Sequence, residues 1–156
     1  MSGARDARHV RAIVLNHNSG RDLIESVSSL LQQGWGDRLE IVVVDNASTD
    51  GSIDALGSTL GVPDHTAPHT TPVRIVELDD NIGFAAQNPE MLAGGVDAVL
   101  LLNPDARMAQ GALDLLDAAL AADPGVGAVV PKVLFADDVV EVTITPAVRL
   151  RGASRA

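Results

Sequence analysis

Short apolar runs alternate with amphipathic stretches along this chain. Residues rich in Val, Ile and Leu form runs at 10–15, 41–44, 73–78, 98–102 and 126–130. Each run is too short for a helix and is bounded by turn-forming residues, which is typical of strands buried on both faces. Apolar residues recur at helical spacing over 23–31 and over 112–120, before Pro124. The alternation predicts an α/β fold, a Rossmann-like, mainly parallel sheet flanked by helices.

The remaining segments carry weaker signals. Residues 57–72 are polar and contain three prolines, so they are predicted to form a surface loop. The run at 139–144 has a strand-like pattern, but no partner element follows it. The basic tail at 148–156 lacks periodicity and is predicted to fray. A length of 156 residues predicts a single domain, 1–156.

Composition narrows the range of partners. The chain carries 21 acidic and 11 basic side chains, a formal net charge of -10, so a nucleic-acid backbone would be repelled. It has no cysteine, which excludes disulfides, thiolate catalysis and cysteine-ligated zinc. No apolar run approaches the roughly 18 residues of a membrane helix, and residues 1–11 lack the apolar core of a secretory signal. We therefore expect a cytoplasmic protein.

Clusters of Asn, Asp and Ser follow four of the apolar runs. In an open parallel sheet, ligands bind at the carboxyl ends of the strands, which lie along one edge. One such cluster could simply cap a helix or form a turn, because these residue types favour both. Four clusters at one edge predict a binding site instead. They occupy residues 16–19, 45–51, 79–84 and 103–105.

The common phosphate-binding motifs are absent from the sequence. No Gly-x-Gly-x-x-Gly follows the first run, and there is no Gly-Lys-Ser or Gly-Lys-Thr. Since Lys132 is the only lysine, a diphosphate would find few cationic partners in this acidic chain. A divalent cation held by a carboxylate would supply the missing charge. Asp105, after a very apolar run, is the best candidate ligand.

The motif segments resemble, in order and spacing, the signatures of glycosyltransferase family 2. The subgroup they are most similar to is the bacterial rhamnosyltransferase-like enzymes, which carry Asn-Pro-Asp where others carry Asp-x-Asp. The resemblance covers about 11–135, a nucleotide-sugar-binding core, and leaves 136–156 as an atypical C-terminal extension. The segments that carry it are 12–19, 42–52, 81–86, 100–105 and 130–133.

The resemblance implies a GT-A fold and transfer of a sugar from a nucleoside diphosphate donor, dTDP-rhamnose or a UDP-sugar. It implies a glycan or lipid-linked acceptor, in bacterial cell-wall or polysaccharide biosynthesis. By position, Asp45 would hydrogen-bond the base, Asn103 would stand near the ribose, and Asp105 would bind Mg²⁺ or Mn²⁺. The implied nucleotide-sugar site comprises Leu15, Asn16, His17, Asp45, Asn46, Asn81, Gly83 and Asn103.

The sequence also departs from the family pattern. Family members carry their catalytic base in a later Glu-Asp-x-Asp-like stretch, and none is found here, so no catalytic base is assigned. Asp137 and Asp138 are interpreted as an exposed turn. Pro89 interrupts a helix that is continuous in the family, unless Asn88 caps a new helix with Pro89 in its first turn.

Other candidate residues are interpreted as structural. His65 and His69 have metal-like spacing but lie in the proline-rich segment, so we interpret them as solvated loop histidines. Trp35, between two glycines, is interpreted as an anchor that covers the core.

Two hypotheses therefore stay open. One is a metal-assisted glycosyltransferase. The other is a noncatalytic GT-A-like module that binds nucleotide-sugars or serves assembly, lacking the acceptor half. A nucleotidyltransferase is disfavoured, because residues 16–20 lack a basic glycine-rich loop. Under both open hypotheses we expect a homodimer, and association with the inner membrane face would be peripheral and through partners.

Overall fold

The first four apolar runs form the strands of one sheet in a computed structural model, which describes residues 8–62 and 71–134 and the backbone of 145–149. Two short 3₁₀ helices span Gly36–Arg38 and Gly83–Gln87. The strands are β1 Val10–Asn16, β2 Leu39–Asp45, β3 Val73–Glu77, β4 Ala98–Leu102, β5 Val126–Val130 and β6 Thr145–Arg149. The α-helices are α1 Gly20–Leu31, α2 Ser52–Leu60, α3 Asn88–Leu92 and α4 Ala112–Ala122.

The principal sheet is parallel, with the strand order β3-β2-β1-β4. Val10 at the start of β1 pairs with Leu39 of β2 and Ala98 of β4, and Asn16 at its end pairs with Asp45. Because the strands run in register, their carboxyl ends lie along one edge. The predicted α/β fold with a mainly parallel sheet is confirmed for these strands.

The core on one face of the sheet lies beneath α1 and α2. Alternate strand residues such as Ala12 and Val43 are fully buried, as are Leu23 and Val27 of α1 and Leu56 of α2. Each fully buried Leu or Val side chain contributes about 1.5–3 kcal/mol to folding. The apolar positions whose helical spacing predicts α1 are thus the positions that α1 buries against the core.

The other face is covered by the connection between β3 and β4. Ala86, in the 3₁₀ helix Gly83–Gln87, packs in a buried cluster with Ile13, Val42 and Val44. Partly buried Leu15, Val76 and Leu78 surround that cluster. Both faces of β1 and β2 are therefore buried, as their unbroken apolar sequences predict.

The last apolar run departs from the predicted sheet. By its contacts, the chain divides into two units, Met1–Met108 and Ala109–Ala156. In the second unit β5 pairs antiparallel with β6, so β5 is not a fifth parallel strand. The backbone at 145–149 is extended although the sequence predicts fraying from residue 148, because β5 supplies hydrogen-bonding partners that no local pattern reveals. Residues 139–144 lie outside the described residues.

Three further predictions concern segment boundaries and membranes. The last turn of α2 occupies 57–60, which the sequence assigns to a loop; Gly61 ends it in the left-handed conformation, with a φ of 67°. The single domain over 1–156, its core at 11–135 and its extension at 136–156 stay predictions. In the described ranges no helix has the length and apolarity needed to cross a membrane.

Candidate functional site

A cavity of about 580 Å³ lies at the carboxyl ends of β1, β2, β3 and β4. This is the edge where the sequence places its polar clusters, and the volume falls in the usual range for small-molecule sites. All four loops contribute to it, as the sequence predicts. The lining residues are Leu15, His17, Ser19, Asp22, Asn46, Asn81, Gly83, Phe84, Gln87, Leu101, Leu102, Asn103, Pro104 and Asp105.

Asp45 does not line the cavity, although the resemblance implies that it contacts the base. Its side chain is on the helix-covered face of β2 and the residue is only 4% exposed. Asn16 Nδ2 donates to Asp45 Oδ1 at 2.7 Å, and Ser48 Oγ donates to the same oxygen at 2.6 Å. The Ser48 backbone N–H donates to Asp45 Oδ2 at 3.2 Å. The carboxylate therefore holds the two loops together.

Asn16 is likewise buried behind the cavity wall and absent from its lining. Besides Asp45, its Nδ2 donates to Ser48 Oγ at 3.0 Å and to Ser52 Oγ at 2.9 Å. Its Oδ1 is buried with no hydrogen-bond partner among the described residues. Asn16 thus links β1 to the loop after β2. All the other residues of the implied site do line the cavity, and their contact with a nucleotide stays a prediction.

Asn46, next to Asp45, turns towards the cavity and ties the β2 loop to the β3 loop. Its Nδ2 donates to Asn81 Oδ1 at 2.7 Å and to Gly83 O at 3.3 Å. Its Oδ1 accepts a hydrogen bond from Ile82 N at 2.9 Å. Both Nδ2 and Oδ1 of the Asn46 amide are therefore hydrogen-bonded. An Asp at this position could not replace it, because a carboxylate has no N–H to donate. Gly83 has a φ of 69°, which glycine adopts without strain.

The hydrogen bond of His17 fixes its neutral tautomer. His17 Nδ1 lies 2.9 Å from Asn46 O, and since a carbonyl only accepts, Nδ1 must carry the proton. The other nitrogen, Nε2, is then an acceptor when the ring is neutral. His17 is exposed and lines the cavity, and Asn18 Nδ2 lies 3.5 Å from Nε2, a long contact that a ligand donor could replace.

Asp50 occupies the amino ends of two helices. Its Oδ2 accepts from Gly20 N at the start of α1 at 2.9 Å, and its Oδ1 accepts from Ser52 N at the start of α2 at 3.0 Å. Hydrogen bonds from Ser52, first its side chain and then its backbone, lower the pKa of Asp50 below the ordinary 3.8. A negative charge from the protein already occupies these helix ends.

The turn after β4 is fastened to α1. Asn103 O accepts from Ser26 Oγ at 3.3 Å and from Ala106 N at 3.0 Å. Asp105, in this turn, is exposed and lines the cavity. No group of three or more Asp, Glu or His within the described ranges could hold a metal ion. The assignment of Asp105 as a metal ligand therefore stays a prediction.

Some lining residues carry no signal in the sequence. Asp22 lies in the first turn of α1, where an acidic residue also favours the helix dipole. Leu101 belongs to an apolar strand yet is 46% exposed, because its face of β4 is only partly covered. Phe84 lies within a predicted cluster and is 76% exposed, but the sequence gives an apolar ring no ligand-binding role.

The structural interpretations have mixed outcomes. Trp35 is buried, and the Arg38 guanidinium lies 4.4 Å from its ring centroid, so its interpretation as a core anchor is confirmed. Around Pro89, where the sequence predicts an interruption or a new helix capped by Asn88, a 3₁₀ helix is followed directly by α3, whose N-cap is Gln87 rather than Asn88. Residues 65, 69, 137 and 138 lie outside the described residues.

Two solved structures have similar folds. Residues 1–349 of TarS from S. aureus share 21% identity, with a TM-score of 0.60, over 73% of this chain and 32% of that one. The mannosyltransferase PcManGT from Pyrobaculum calidifontis, in complex with GDP-Man and Mn²⁺, shares 27% identity, with a TM-score of 0.66, over 81% of this chain and 38% of that one. This chain therefore spans about a third of their length.

Sequence comparison assigns the family directly. No curated protein sequence matches the chain significantly. The sequence family described as glycosyl transferase family 2, however, matches residues 12–143. This match covers most of the chain, including every polar cluster that contributes to the cavity. The chain therefore belongs to glycosyl transferase family 2.

Proposed function

We propose that the cavity binds a nucleoside diphosphate sugar and that the protein takes part in transferring the sugar to an acceptor. The observation that carries this proposal is the convergence of four family-2 motif loops on one cavity of about 580 Å³. TarS has been crystallised with UDP and with UDP-GlcNAc, and the mannosyltransferase with GDP-Man. These ligands support a nucleotide-sugar as the occupant.

In this proposal the base lies between the β1 and β3 loops, near Leu15, His17 and Gly83. His17 Nε2, which Asn18 Nδ2 approaches to 3.5 Å, accepts a hydrogen bond from the base or ribose in place of that long contact, because Nδ1 is committed to Asn46 O. Asn16 and Asp45 do not touch the nucleotide. They act one layer behind it, by holding the β1 and β2 loops in contact.

The diphosphate lies near Asn103 and Asp105. Two carboxylates line the cavity, Asp22 and Asp105, while no Arg or Lys does so within the described residues. A diphosphate therefore requires a cation, and Asp105 is the residue that would hold Mg²⁺ or Mn²⁺ there. When bound, such an ion supplies positive charge that stabilises the departing nucleotide. The Mn²⁺ in the mannosyltransferase complex supports this choice.

The Asn103-Pro104-Asp105 motif favours dTDP-rhamnose as the donor, with a UDP-sugar as the next candidate. The acceptor is a glycan or a lipid-linked sugar, so the protein works in the cytoplasm, at the inner membrane face when the acceptor is lipid-linked.

Calorimetric titration with dTDP, UDP and GDP, with and without Mn²⁺, tests the site. We expect Mn²⁺-dependent binding that Asp105→Asn abolishes. The control Asp54→Asn removes one exposed charge from α2 and should leave binding unchanged. Absence of heat from the folded protein with every nucleotide would refute the proposal.

Release of the nucleoside diphosphate from dTDP-rhamnose or a UDP-sugar then separates the two hypotheses. Turnover that Asp105→Asn removes indicates an enzyme. Binding without turnover at saturating donor and acceptor indicates a noncatalytic module.

A further inference from the structure

Charged side chains form one network at the amino-terminal end of the parallel sheet. Arg11 Nε lies 2.7 Å from Glu40 Oε2, and Arg74 Nη2 lies 3.6 Å from Glu40 Oε1. Each of these three is the second residue of its strand, and Glu90 joins them from α3. Since Arg11 precedes the end of β1 by five residues, the network lies about 16 Å from the cavity edge.

Glu90 is attached to the sheet through both its side chain and its backbone. Arg74 Nη1 and Nη2 donate to the two carboxylate oxygens of Glu90 at 3.2 and 2.5 Å. Arg11 Nη1 donates to Glu90 O at 3.0 Å. The Glu90 side chain is 15% exposed, but that of Arg74 is 45% exposed, so the pair is partly open to solvent and added salt can screen it. A planar guanidinium that binds both oxygens fixes orientation as well as distance.

The segment that Glu90 anchors also forms one wall of the cavity. Gly83, Phe84 and Gln87 line the cavity, and α3 follows directly. The 3₁₀ helix and α3 have five residues each, well below the roughly 12–15 that an isolated helix needs. The wall 83–92 therefore depends on its attachments, which are Ala86 in the core, the Asn46 tie at one end and Glu90 at the other.

We propose that Glu90 is a positioning residue of the cavity, whose ion pair with Arg74 holds the wall 83–92 in the arrangement that nucleotide binding requires. This inference rests on the proposed function. Without the pair, the α3 end of the wall keeps only the hydrogen bond from Arg11 Nη1 to Glu90 O, while the Asn46 end stays tied. A nucleotide must then bind the fraction of molecules whose wall is in place, and the apparent affinity falls by that fraction.

Hydrogen–deuterium exchange tests the structural half of the proposal without any nucleotide. In Glu90→Gln we expect amides of 83–92 to exchange about tenfold faster, while amides of β1 and β2 are unchanged. Asp54→Asn, which also removes one negative charge, should change neither region. Unchanged exchange in 83–92 would overturn the inference, whatever the protein binds.

Nucleotide titration tests the functional half. We expect the dissociation constant for the tightest-binding nucleoside diphosphate, with Mn²⁺, to rise about fivefold in Glu90→Gln. Faster exchange together with unchanged affinity would overturn the positioning role. If the wild-type protein binds no nucleotide, the proposed function fails, and the positioning role fails with it even where exchange shows that Glu90 fastens the wall.

A double-mutant cycle with Arg74→Met separates the ion pair from general loosening. If the pair is the anchor, Arg74→Met/Glu90→Gln should loosen the wall no more than the more severe single variant. If the effects of the two single variants on exchange in 83–92 add fully in the double variant, the Glu90–Arg74 pair is not the anchor. Should a variant not fold, the wild-type chain in about 1 M NaCl, where the Debye length is about 3 Å, should show the same selective loosening. Equal exchange at low and high salt would then overturn the inference.

Discussion

The two sides of the cavity are attached to the fold in different ways. On one side, the loops 16–20 and 45–52 are joined by hydrogen bonds that Asn16 Nδ2 donates and that Asn18 Oδ1 and Asp50 Oδ2 accept, part of them buried. On the other side, the wall 83–92 is fixed at separate points and carries Phe84 at 76% and Leu92 at 83% exposure. The first side is preformed, whereas the second owes its position to a few long-range contacts. Stability and ligand affinity should therefore respond differently on the two sides.

The largest effect on stability is expected at Asp45. Asp45→Ala leaves the buried Asn16 amide and the Ser48 hydroxyl without their shared acceptor, which should lower the free energy of unfolding by about 2–4 kcal/mol. Urea denaturation followed by the fluorescence of Trp35, the single tryptophan, measures this change. The exposed Asp54→Ala is the control, expected within about 0.5 kcal/mol of wild type. Similar changes in the free energy of unfolding for both variants would contradict the view that these buried hydrogen bonds preform this side of the cavity.

Asn46 connects the two sides, so its replacement should affect affinity more than stability. In Asn46→Asp, a carboxylate oxygen faces Asn81 Oδ1 and Gly83 O, where the amide now donates. We expect nucleotide affinity to fall about tenfold, or about 1.4 kcal/mol. Titration with nucleotide and Mn²⁺ measures the loss. Asn46→Ala removes the same hydrogen bonds without placing a carboxylate against the two acceptor oxygens, so it should bind nucleotide more tightly than Asn46→Asp. Tighter binding by Asn46→Asp would contradict the role of Asn46 in joining the two loops.

Acid should weaken the preformed side through Asp50. Hydrogen bonds from Ser52 lower the pKa of Asp50 in the folded protein below 3.8. Its contribution to stability is therefore present above about pH 3.8, the ordinary pKa, and is lost as pH falls through the lower folded pKa. Asp50→Asn should cost less than about 1 kcal/mol near neutral pH, because the group is exposed. Denaturation from about pH 6 to pH 3 should show the difference from wild type shrinking; a constant difference would contradict the linkage.

The smallest effect on stability is expected at Phe84. Since the ring is 76% exposed, Phe84→Ala should change the free energy of unfolding by less than about 0.5 kcal/mol. Because Phe84 lines the cavity, the same change should weaken nucleotide binding about threefold. Leu92→Ala, at a residue that is 83% exposed but outside the cavity lining, is the control and should leave affinity unchanged. Equal affinities of the two variants would exclude Phe84 from the nucleotide site.

The sequence predicts the cavity edge but not which neighbouring side chain faces it. Strand ends are visible because apolar runs stop at clusters of Asn and Asp, and parallel strands bring those clusters together. Asp45 and Asn46 are adjacent, and a shift of one residue exchanges the faces of a strand. Since Val42, Val43 and Val44 are all apolar, the pattern gives no clue to the face on which Asp45 lies. Only the contact with Asn16, 29 residues earlier, decides it.

Pairing of β5 with β6 and the attachment of α3 escape prediction for the same physical reason. The antiparallel partner of β5 contains Pro146, which a sequence pattern treats as a strand breaker. Arg74 and Glu90 lie 16 residues apart and show no helical spacing, so their two-point contact follows from the path of the chain over the sheet. Local sequence patterns predict which segments form helices and strands. They do not predict which distant residues those helices and strands contact.

One carboxylate that joins two helix starts has a consequence for folding order. Asp50 bonds Gly20 and Ser52, which lie on either side of β2 along the chain, so α1 and α2 cannot both be capped until the β1–α1–β2 unit has closed. Neither helix end gains the full benefit of that charge in a partly assembled chain. Fraying of one helix start should therefore accompany fraying of the other, and the first half of the sheet should open and close as one cooperative unit.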